Sequence, residues 1–114
     1  MTQGSISEAL AAEISLTPSV SIPADARSVS KRMLIDHVGI TYMGAAMTEQ
    51  ALLAYARELG GRATLIGFPL RVPAELAAVV NGQNCRANDF NETGPGTDVG
   101  PRCVHTALAV GQRT

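Results

Sequence analysis

Apolar positions along this chain recur mainly at helical spacing. Ile6, Ala9, Leu10 and Ile14 share one helical face, and Ser5 followed by Glu8 matches a capping box, in which each side chain accepts the other residue's backbone N–H. The pattern predicts a first helix over 6–16, stopped by Thr17 and Pro18. Pro23 suits the first turn of a second helix over 23–43, because its φ is already helical and its missing N–H would be unpaired there anyway. That stretch carries apolar residues around most of its circumference, at Val29, Met33, Leu34, Ile35, Val38, Ile40 and Met43. A helix so clothed is expected to be buried on several sides.

Thr48 is placed to cap a third helix in which Leu52, Tyr55, Ala56 and Leu59 form a stripe, with Gly60 and Gly61 ending it. Residues 63–68 are a short β-permissive run between Gly61 and Pro69, read as one strand or an extended connector. Pro73 opens a fourth helix through Glu75, Leu76, Ala77, Val79 and Val80, with Gly82 available for a left-handed turn or a close backbone approach. After a polar, small-residue stretch, Val104, Ala107, Leu108 and Val110 begin a last helix. No repeat and no low-complexity linker divides the chain. The expected fold class is mainly α, a bundle-like helical domain with at most one short β segment.

Composition narrows this further. A chain of 114 residues fits one domain and should bury roughly two thirds of its unfolded surface. Apolar residues are 46 % and aromatics only 4 %, so the interior must be filled by Ala, Leu, Ile, Val and Met, which favours close helix packing over a β-sandwich. Nine basic against ten acidic residues, with no basic run, leave no electrostatic footprint for nucleic acid. The apolar runs fall far short of the roughly 20 residues that span a bilayer. Glu8 and Glu13 sit where a secretory signal would be basic and then apolar, so a cytoplasmic address is expected, with Cys85 and Cys103 as free thiols.

The segment AAVVNGQNCRANDFNETGPGTDVGP (77–101), followed by TALAV, has an Ala-rich helix, Asn-Gly, an acidic turn, a loop ending in Pro and a further Ala-rich helix. Upstream stand Ile22 and Pro23, MLIDHVGITYMG and GGRATLIGF. In this order the pieces resemble the MmgE/PrpD family, which includes 2-methylcitrate dehydratase and cis-aconitate decarboxylase, over nearly the whole chain. The resemblance implies a portion of that family's large helical domain, incomplete over 1–114, with the lid domain absent. It also implies a homodimer, no metal or organic cofactor, and small di- or tricarboxylate substrates. By the same resemblance Asp89 corresponds to the first acid of the family's turn and Thr93 to its Thr, at the wall of the active site. Lyase chemistry moves a proton on or off carbon and needs a positioned acid/base together with donors that fix the substrate. Asp89 is therefore the catalytic candidate and Thr93 a substrate-binding one. The competing reading is that both merely cap the next turn of structure.

This chain departs from the family pattern in its turn. Asn91 and Glu92 stand where two Asp residues are usual, and Gly100 where the His of His-Pro is expected. His105 aligns with the start of the last helix and reads as a helix-start histidine. Arg86 and Arg102 flank the turn and suit a carboxylate, with Arg86 taken as a substrate-binding candidate. Cys85, Cys103 and His105 lack the paired spacing of a zinc site, and Cys103 and His105 fall on different helix faces, which disfavours a thiol and base pair. The Gly-rich stretch 94–100 lacks the Lys and Ser/Thr of a phosphate loop. Asp36 and His37 are adjacent and cannot face each other on a helix, so each reads as structural, His37 satisfied or exposed. Two functions follow as expectations: the amino-terminal part of a cofactor-independent lyase, isomerisation being the minority chemistry, inactive by itself; or a non-catalytic remnant acting as a helical oligomerisation or interaction module.

Overall fold

Ser5 Oγ accepts the backbone N–H of Glu8 (3.2 Å) and Glu8 Oε2 accepts that of Ser5 (2.7 Å), so the capping box starts helix α1 (Ile6–Leu16) where the sequence places it. The computed structural model describes residues 5–90 and 100–113. The chain divides into two units, Met1–Arg32 and Met33–Thr114, and helix α2 (Ala24–Gly44) carries residues of both.

In the first unit α1 contains no buried residue, and Ile6, Leu10 and Ile14 are all exposed. Thr17 leaves the helix with both its N–H and its hydroxyl bonded to the Glu13 carbonyl. Pro18 and a single 3₁₀ turn (Ser19–Ser21) lead to Pro23. The Arg27 guanidinium then donates to the carbonyls of Ser19 (3.2 Å) and Ile22 (2.9 Å), tying this connector to the first turns of α2.

The second unit holds the core. After α2 come a 3₁₀ turn (Ala45–Met47), helix α3 (Gln50–Glu58), strands β1 (Ala63–Leu65) and β2 (Leu70–Val72), and helices α4 (Ala74–Arg86) and α5 (Gly100–Gly111). The mainly helical expectation holds, with two strands where one segment was expected. They pair antiparallel, Ala63 with Val72, Thr64 with Arg71 and Leu65 with Leu70, and Gly67 at φ 90° takes the turn at a value that suits glycine. Leu53 and Ala56 of α3, Ala63, Leu65 and Val72 of the hairpin, Ala74, Ala77 and Val80 of α4, and Ala109 of α5 form one apolar cluster. The abundance of Ala lets backbones approach, and burying Leu65 alone contributes roughly 2–3 kcal/mol.

Asn81 ties the hairpin to α4. Its Oδ1 accepts the N–H of Ile66 (3.0 Å) and its Nδ2 donates to the Thr64 carbonyl (2.9 Å), so a buried amide completes the hydrogen bonding of a strand edge. Gly82 does not end α4. It lies within the helix, where a Cβ would stand 3.4 Å from the Pro101 carbonyl oxygen, so its role is the close approach of α5. The Asn-Gly pair thus serves packing on both sides.

The second half of α2 overturns the expectation of burial on several sides. Only His37, Thr41 and Gly44 are buried, whereas Leu34, Ile35, Val38, Tyr42 and Met43 are exposed. The buried face was selected by size: a Cβ on Gly44 would collide with the backbone carbonyl of Asn84, so only a residue without a side chain fits against α4.

Candidate functional site

The amino end of α3 and the carboxyl end of α4 meet across a groove of about 580 Å³ lined by Met47, Thr48, Glu49, Leu52, Gln83, Asn84, Arg86 and Ala87. Thr48 was expected to cap α3, but Glu49 occupies that position and makes no capping bond with its side chain. The Thr48 hydroxyl instead donates to Asn84 Oδ1 (3.0 Å), a link between residues 36 apart. Asn84 is 4 % exposed, and its side-chain nitrogen has no hydrogen-bond partner among the described residues. Leaving a buried donor unmade costs about 1–3 kcal/mol.

A second groove, of about 410 Å³, runs between α4 and α5 and is lined by Ala78, Val79, Gly82, Gln83, Arg86, Pro101, Arg102 and Thr106. Gln83 and Arg86 belong to both grooves. Arg86 sits in the last turn of α4, where a cation is favoured by the partial negative charge of the carbonyl end. The two arginines singled out in the sequence are therefore brought to one surface.

Asp89 follows Arg86 by three residues, and its N–H donates to the Arg86 carbonyl (3.0 Å). Its φ of 54° is a left-handed value that Asp tolerates better than most residues, and its side chain is exposed. Thr93, with Asn91 and Glu92, lies outside the described residues. Gly100 and Pro101 are buried at the start of α5. Cys85 is buried and Cys103 exposed, and no metal-binding group of three or more ligands exists among the described residues.

His105 is not a helix-start residue. It is fully buried on α5, and its Nε2 lies 2.9 Å from Thr41 Oγ1. The Thr41 hydroxyl has one proton, which goes to the His37 carbonyl at 2.6 Å, so Thr41 must accept from His105 Nε2–H. That fixes the tautomer and leaves Nδ1 as a buried lone pair without a partner among the described residues. His37, also buried, has Nδ1 2.8 Å from the Met33 carbonyl, and the two imidazole centroids are 6.3 Å apart at 61°. Burial, reinforced by the charge of His37, lowers the His105 pKa from 6.5 to about 4. A neutral His105 can accept a hydrogen bond but holds no proton to donate from Nδ1. Sequence reasoning set these residues apart from one another, since 64 positions separate Thr41 from His105.

A comparison with protein-family models matches residues 8–114 to the MmgE/PrpD N-terminal domain. The chain belongs to this family. No curated protein and no solved structure matches it significantly. No helix among the described residues is long and apolar enough to cross a membrane.

Proposed function

We propose that this domain supplies one wall of the substrate site of a cofactor-independent MmgE/PrpD-type lyase acting on a small di- or tricarboxylate such as 2-methylcitrate or cis-aconitate. The observation that carries the reading is Arg86, which lines both grooves, with Asp89 exposed one turn further along the chain. Arg86 and Arg102 would hold carboxylates, and Thr93, by its place in the family's motif, would bind the substrate. In a dehydration Asp89 takes the proton from carbon next to a carboxylate and passes it to the hydroxyl on the neighbouring carbon, so that the carbon–oxygen bond breaks and water leaves. In a decarboxylation the same group returns a proton to the carbon from which carbon dioxide has departed. Gly100, lacking the imidazole of the family's His-Pro, removes one proton carrier and places more weight on Asp89.

The test is turnover of 2-methylcitrate and cis-aconitate by purified protein, wild type against Asp89→Asn. Asn keeps the left-handed backbone while removing the acid, so loss of turnover with an unchanged fold supports the reading. Turnover that survives the substitution removes Asp89 from the chemistry. A second reading, a non-catalytic module that self-associates, is favoured by the exposed stripe of Leu34, Ile35, Val38 and Tyr42 on α2. A defined homo-oligomer with no turnover would support it, and a monomeric protein would refute it.

A further inference from the structure

We infer that residues 33–44 of α2 form an acid-released latch: when the buried histidine pair takes up a proton, this half of the helix lifts from α5 while the apolar core stays folded. The seam that holds it is unlike the rest of the fold. The apolar cluster draws on α3, the hairpin, α4 and α5, and none of its described members comes from α2. What α2 buries is His37, Thr41 and Gly44, two polar side chains and a bare backbone. Lifting it away therefore loses little hydrophobic stabilisation, and an element with few buried apolar contacts opens at lower free energy than the core.

Acid acts on the same seam. His37 and His105 are both buried, with their rings edge to face, and Thr41 on α2 accepts the Nε2–H of His105 on α5. An added proton goes to His105 Nδ1, a buried atom with no acceptor among the described residues. Charging it in place costs the desolvation of an imidazolium and leaves a donor unmade, and burial, with the charge of His37, holds its pKa near 4. Once the seam opens, water solvates the charge and accepts the bond, and the ring titrates near the ordinary 6.5. Opening is thereby coupled to proton uptake, so the open fraction rises about tenfold per pH unit on the way down from 6.5 towards 4. Of the other titratable groups on the elements at this seam, Asp36 and Tyr42 of α2, Glu75 and Arg86 of α4, and Arg102 and Cys103 of α5 are exposed, Cys85 of α4 is buried, and β1 has none. The charge that acts on His105 is that of His37. Gly44, the last residue of the released stretch, sits against the backbone of Asn84 beside the α3–α4 groove, so acid reaches the groove whatever it binds.

The experiment is amide hydrogen exchange of the full chain, read by NMR between about pH 4.5 and 7 and corrected for the intrinsic exchange rate, for wild type and His105→Gln. Gln keeps an N–H for Thr41 and does not titrate. In wild type the amides of residues 37–44 should be less protected than those of Val80 and Asn81 in α4 at every pH, and should lose protection about tenfold per unit below about pH 6.5. In His105→Gln the protection of the α2 amides should no longer change with pH. Should that variant fail to fold, the wild-type profile decides alone, because a one-proton slope that begins near 6.5 belongs to a histidine. Three results would each overturn the inference. One is a single protection factor shared by the α2 and α4 amides, since the seam then opens only with global unfolding. The others are α2 protection that is independent of pH in wild type, and a slope that survives His105→Gln.

Discussion

Replacing His105 by Gln tests the buried pair most directly. In the folded protein His105 stays neutral down to about pH 4, whereas in the unfolded chain it takes a proton near 6.5. Between those values the unfolded state binds more protons than the folded state, so stability falls as the medium is acidified. The contribution is fully present above pH 6.5, is lost progressively on the way down to about pH 4, and changes no further below it. At about 1.4 kcal/mol per pH unit, the interval corresponds to about 3 kcal/mol. Gln retains an N–H for Thr41 but does not titrate. Urea unfolding followed by circular dichroism across this range should therefore show wild type losing about 3 kcal/mol more than His105→Gln. The carboxylates common to both proteins cancel in the difference, leaving His105 and its interaction with His37. The chain has only two histidines, so their ring protons can be assigned with this single variant. Parallel stability curves for the two proteins, or a His105 resonance titrating near pH 6.5, would refute the argument.

Two glycines of α2 should respond in opposite directions. Gly44→Ala drives a methyl into the Asn84 backbone and should prevent cooperative folding, while Gly39→Ala meets nothing and should stabilise by roughly 0.5–1 kcal/mol through helix propensity, as read by thermal unfolding. Ser5→Ala removes the acceptor for the Glu8 N–H and should cost α1 about 1 kcal/mol, visible as faster amide exchange confined to the first unit.

Local chemistry made most of the helices legible. The Ser5–Glu8 box, Pro23, Pro73 and the Gly60–Gly61 stop each act within one turn of chain, and the observed helices begin and end within a residue or two of them. What escaped was decided across the fold. The face of α2 that turns inward is the one on which Gly44 permits contact and Thr41 finds His105, and a pattern of apolar residues contains no signal for either. Thr48 has the right identity for a cap, yet Asn84 offers its hydroxyl a buried partner. The second strand is three residues long and follows Pro69, too short for an alternation to register. At the site, Arg86 could be found from its position before the acidic turn, whereas Asn84 could not, because its partner Thr48 lies 36 residues away. The capacity of Asn81 to serve a strand edge was likewise invisible in the Asn-Gly pair itself.

Gly44 has a mechanical consequence for the groove it does not line. The thickness of a backbone, with nothing added, sets how near the end of α2 lies to Asn84. Thr48, four residues further on, can reach the Asn84 amide only from that distance. The bond between Thr48 and Asn84 is thereby set from behind, by a position outside the groove's lining, and substitutions there would register at the groove before any wall residue had changed.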